Sequence, residues 1–183
     1  MRRSLLVLSG LLVASGVASA SPSPSTGRAV YVGSARTLAL TAHEAKYQRI
    51  TKAYADAPSH PENRPGFKSG WTVNYEDATA HSDAGAQVTI YVYDNRTHAE
   101  AIYKHVCKTA CPAQEVIKGI HVGYSTQTYH SVPTVSAGAT CRNLYLDVAT
   151  GATTETPKQL GYDAGYLIAA VFAKAYLHGM KSC

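Results

Sequence analysis

The chain has 183 residues, 45% of them hydrophobic, and a formal charge of +5 from 17 lysines and arginines against 12 acids. That length suits one domain with a real hydrophobic core and leaves little room for two. The small positive excess includes no lysine or arginine run, which argues against a nucleic-acid surface or a polybasic membrane patch.

Met1-Arg2-Arg3, the apolar run Ser4 to Val17 and the small residues Ala18-Ser19-Ala20 have the form of a secretory signal peptide, residues 1–20, cut after Ala20. Its loss removes two arginines and no acid. The expected product is secreted or periplasmic, with no transmembrane span in the mature chain. Residues 21–27, Ser-Pro-Ser-Pro-Ser-Thr-Gly, read as a Pro/Ser linker, and 28–183 as a single domain.

Ala29 to Val32 reads as a short strand. Thr41-Ala42-His43-Glu44 is a capping box, and Tyr47, Ile50 and Tyr54 continue from it at helical spacing, which predicts a helix from Thr41 to Asp56. Pro58, Pro61, Pro65, Gly66 and Gly70 mark a loop. Trp71, Val73 and Tyr75 alternate with polar residues as in a half-buried strand. In Gln87 to Tyr93, Val88, Ile90 and Val92 oppose Thr89, Tyr91 and Tyr93.

Thr97-His98-Ala99-Glu100 is a second capping box, opening a helix that must end near Pro112. Val116 to Tyr129 holds one or two strands about Gly119. Asn143 to Val148 is another one-faced strand, and Leu160 to His178 a largely buried final helix. Lys174 and the length of that helix argue against a membrane span. The pattern predicts an α+β fold, an antiparallel or mixed sheet with helices mainly on one face. The first six elements follow the ferredoxin-like order, with a C-terminal strand and helix added.

Cys107, Cys111, Cys141 and Cys183 form an even set in an exported chain, which implies two disulfides. Three pairings are open. A strand from Cys141 and a returning helix to His178 are each about 25 Å long, which brings Cys183 back towards Cys141 and leaves Cys107 with Cys111. Their spacing is not that of a zinc site, and no cofactor or metal is expected.

The face opposite the predicted core collects Tyr91, Tyr93 and Tyr145 with Asn74, Glu76, Asn143 and Asp147, and tyrosine suits recognition of a protein, peptide or glycan partner. The competing account is that tyrosines favour strands, or that a helix covers them. The second functional class is a small secreted hydrolase with an acid-base pair from His98, Glu100, His105, His121 and His130. Gly123-Tyr124-Ser125 lacks the second glycine of a nucleophile elbow, and the sequence has no Walker loop or dinucleotide fingerprint. The expected role is therefore non-enzymatic binding or envelope association.

Overall fold

The computed structural model describes residues 30–45, 52–58, 64–76 and 84–183. The leader and linker lie outside them. Three helices and seven strands follow in the order α1 (Ala35–Leu38), β1 (Lys52–Pro58), β2 (Phe67–Glu76), β3 (Gly85–Tyr93), α2 (Arg96–Ala110), β4 (Ala113–Ile117), β5 (Ile120–Tyr129), β6 (Val132–Cys141), β7 (Leu144–Gly151) and α3 (Pro157–Leu177). The fold class is α+β. One sheet takes the order β1-β2-β3-β7-β6-β5-β4, every neighbouring pair antiparallel.

Strand alternation sorts side chains onto two faces. On the first, Val73, Tyr75, Val88, Ile90, Val92, Leu144, Leu146 and Val148 form one core with Ala35 and Leu38 of α1 and with Leu167, Ile168, Val171 and Phe172 of α3. Each such branched side chain contributes about 1.5–3 kcal/mol on full burial. On the second face Tyr93 and Tyr145 pack with Ala99, Ile102, Tyr103 and Cys107 of α2. α1 and α3 thus share one side of the sheet, and α2 crosses the other.

β6 lies between the two layers and was not visible as a strand in the sequence. Its buried residues Ala137, Gly138, Ala139 and Thr140 are small, so α3 and α2 can approach from opposite sides. Small residues carry almost none of the branched or aromatic signal that marks a strand.

The first capping box closes as a turn. The Thr41 backbone N–H donates to Glu44 Oε2 at 2.8 Å and the Glu44 N–H to Thr41 Oγ1 at 3.2 Å. The helix predicted through Asp56 does not extend that far, because Lys52–Pro58 pairs with β2 as an edge strand; 46–51 lie outside the described residues. Sheet pairing here overrides local helical spacing. Residues 30–32 form no strand, and Tyr31 is instead tied to Asn143.

α2 begins earlier than its predicted box. Asn95 is the N-cap, its Oδ1 accepting the His98 N–H at 3.0 Å, and Thr97 falls inside the helix. At the other end Gln114 Nε2 donates to the carbonyls of Cys107 and Cys111 at 3.2 and 3.4 Å, satisfying acceptors that the end of α2 leaves free. α3 starts at Pro157, with Thr156 Oγ1 accepting the Gln159 N–H.

Cys107 is bonded to Cys111, and Cys141 to Cys183 across a separation of 42 residues. The first bridge lies against β5. A Cβ at Gly123 would come within 2.5 Å of Cys107 Sγ and 2.8 Å of Cys111 Sγ, so only glycine lets the sulfurs rest there.

Candidate binding face

The tyrosine-bearing face is the second face, and α2 divides it into a covered and an open part. Under the helix, Tyr93 is 1% exposed and Tyr145 3% exposed. These two, expected to present a free surface, are instead the floor of the second core, because Cys107, Tyr103 and Ile102 of α2 lie over them. Their hydroxyls find no hydrogen-bond partner among the described residues. Burial pushes the Tyr93 hydroxyl up to about 12, and burial followed by the Asp147 carboxylate raises that of Tyr145.

Tyr91 differs from both. It is half-buried at the edge of the helix, its ring stacked on Tyr145 at 6.0 Å between centroids with Phe67 edge-on at 6.4 Å. Beyond it the sheet is open. Register sets Thr72, Thr89, Asp147 and Gly138 in one row and Asn74, Gln87, Ala149, Ser136 and Ser125 in the next. Thr72 and Thr89 share a hydroxyl hydrogen bond of 2.9 Å, and Gln87 Nε2 donates to Asn74 Oδ1 at 2.8 Å. Asn74, Gln87, Thr134, Ala149 and Gly151 border a shallow depression of about 520 Å³.

Asp147 is the carboxylate of this row. Desolvation raises its pKa, although one side of the residue meets solvent. The face therefore offers the Asp147 and Glu76 carboxylates among amides and hydroxyls. Strand alternation in the sequence already sets Asn74 and Asp147 on this face with the tyrosines. Thr134 and Ala149 carry no such signal and follow only from the register past Tyr91.

The candidate acid-base residues are dispersed. His98 Nδ1 lies 2.6 Å from Asp94 Oδ1, and Glu100 is paired with Arg96 Nε at 2.5 Å. His121 packs near Tyr103, and His130 sits in the β5–β6 turn against Tyr129. His105 is exposed on α2. Glu100 and His121 border the same cleft of about 200 Å³ beside the Cys141–Cys183 bridge. No hydrogen bond joins any two of the five among the described residues. Nor do the described residues hold a group of three or more His, Cys, Asp or Glu side chains able to bind a metal.

No protein-family model matches the chain, and no curated protein matches it. Its fold is similar to the crystal structure of the extracellular domain of PknH from Mycobacterium tuberculosis, with a TM-score of 0.54 and 10% identity. The match covers 80% of this chain and 100% of that one. At that identity the likeness is one of fold. The two disulfides are of the kind that form in an oxidising compartment. No described helix is long and apolar enough to cross a membrane.

Proposed function

We propose that this chain is an exported binding domain that holds a partner on the open half of its second sheet face, with Tyr91 at the margin and Tyr93 and Tyr145 beneath as rigid support. The observation that carries the reading is the array of hydrogen-bonding groups over the depression: the Asn74 and Gln87 amides, the Thr134 hydroxyl and, in the adjoining row, the Asp147 carboxylate. Such groups match a ligand rich in hydroxyls and amides, as peptides and glycans are. The fold shared with an extracellular domain supports the location of the encounter. The leader of residues 1–20, with cleavage after Ala20, is the proposed export route.

The test is a titration of the isotopically labelled protein with a panel of oligosaccharides and polar peptides, read by amide shifts. The expected result is a set of shifts confined to 72–76, 85–91, 134–138 and 147–151, abolished by Ala149→Trp, which fills the depression, with melting temperature retained. Ligand-induced shifts elsewhere, or unchanged affinity in Ala149→Trp, would overturn the assignment.

A further inference from the structure

The outer side of α3 is the least expected surface of the molecule. From Tyr162 to Leu177 every exposed helical position is apolar: Tyr162, Tyr166, Ala169, Ala173 and Leu177, at successive spacings of four, three, four and four. Leu177 is 87% exposed, Tyr162 62% and Tyr166 47%. A helix lying on a sheet normally turns charges to water on this side. Here the charged residues of α3 are Lys158, Asp163 and Lys174; Asp163 is buried, and Lys174 is turned to Glu44 Oε2 at 2.9 Å and the Ala39 carbonyl at 2.8 Å. Ile117, at the end of β4, extends the apolar strip sideways across a groove of about 330 Å³ bordered by Ile120, Ile168 and Ala169.

Cations mark the ends of this strip. Lys158 stands over the Tyr162 ring at 5.8 Å, Lys118 follows Ile117 in the exposed turn, and Lys181 is exposed beyond the helix. Glu115 lines the neighbouring groove with Lys158 and Tyr124.

We propose that this face seats the domain on an anionic lipid surface, the apolar strip entering the interface and the lysines reaching its phosphates. Tyrosines at one end and lysines at the margins are the side chains that an interface accommodates, apolar along their length and polar at the tip. A second copy of the chain fits less well. The strip is about 22 Å long and one helix wide, which offers about 200–300 Å² against the roughly 800 Å² per partner of a stable dimer. Antiparallel pairing of two α3 helices would also set Lys158 against Lys181 of the other copy, and parallel pairing would set Lys158 against Lys158. An anionic bilayer meets all of these charges with the opposite sign. The proposed ligand face is on the other side of the sheet and would remain open.

The test uses the protein as recovered from the medium of an expressing cell, sedimented with phosphatidylglycerol vesicles and with phosphatidylcholine vesicles. The expected result is sedimentation with the first, weakened about ten-fold with the second or in half-molar salt. Tyr166→Glu and Leu177→Glu each reduce it about ten-fold at unchanged melting temperature, whereas Val116→Glu, on the opposite sheet face, leaves it intact. Absence of sedimentation with phosphatidylglycerol, or equal sedimentation of the Tyr166→Glu and Leu177→Glu proteins, overturns the proposal. So does a concentration-dependent dimer that those two variants dissolve.

Discussion

Asn143 ties the N-terminal stretch to the sheet. Its Oδ1 accepts the Tyr31 N–H at 2.8 Å, while Nδ2 donates to the carbonyls of Tyr31 and Tyr93 at 2.8 and 2.7 Å. Asn143→Ala strands three buried backbone groups and is expected to cost about 2–4 kcal/mol, measured by urea denaturation. Two tyrosines separate hydroxyls that matter from one that does not. Tyr75 donates to the Leu40 carbonyl at 2.9 Å, so Tyr75→Phe should lose about 1 kcal/mol; the unpartnered Tyr145 hydroxyl predicts a neutral or stabilising Tyr145→Phe. Asp163 gives a pH dependence. Burial, and then the neighbouring Glu155 carboxyl, lift its pKa from 3.8 to about 6, and Glu155 Oε2 and Asp163 Oδ2 are both buried without a hydrogen-bond partner among the described residues. The native state therefore binds the proton more tightly than the unfolded chain, and this contribution to stability is full below about pH 4 and lost as pH rises through 6. Asp163→Asn should flatten that slope and raise stability at pH 7 by about 1–2 kcal/mol, seen in melting temperatures across pH 4 to 8. None of these three roles is written in the sequence, since each depends on a partner far along the chain or on burial.

The elements were legible in proportion to their local signals. Gln87 to Tyr93 alternates cleanly and is a strand, and α3 has an apolar length that no strand would carry, although it begins at Pro157, three residues before the expected Leu160. The Thr41 box shows the limit of such grammar: its two hydrogen bonds form, yet the chain beyond enters β1 because the edge of β2 is there to receive it. β6 was hidden for the reason that makes it important, since its small residues admit a helix on each side. Enlarging one of them, as in Ala137→Leu, is expected to destabilise by about 1–3 kcal/mol, detectable by denaturation, although leucine is the more hydrophobic residue. The tyrosine face was correctly placed opposite the first core, but the sequence could not say which helix would lie across it. Only the sheet order, with β7 returning beside β3, brings Tyr145 under α2.

At the scale of the molecule, β3 and β7 join two sheet halves, β1 to β3 and β4 to β7, that are separated by α2 in the chain. Their pairing is long-range, and α3 packs across β6 and β7 of the second half. The Cys141–Cys183 bridge closes that half. By loop length alone it stabilises the fold by about 3–4 kcal/mol, so Cys141→Ser with Cys183→Ser should lower stability by that amount, whereas replacing Cys107 and Cys111 should cost less. The bridge also has a meaning for resistance to proteolysis. The turn between β7 and α3 includes exposed Thr153 and Thr154, where a protease can cut. A chain nicked there would keep its last helix as a covalently attached piece, held in register to refold on its own sheet, and would release it only when reductant and denaturant act together.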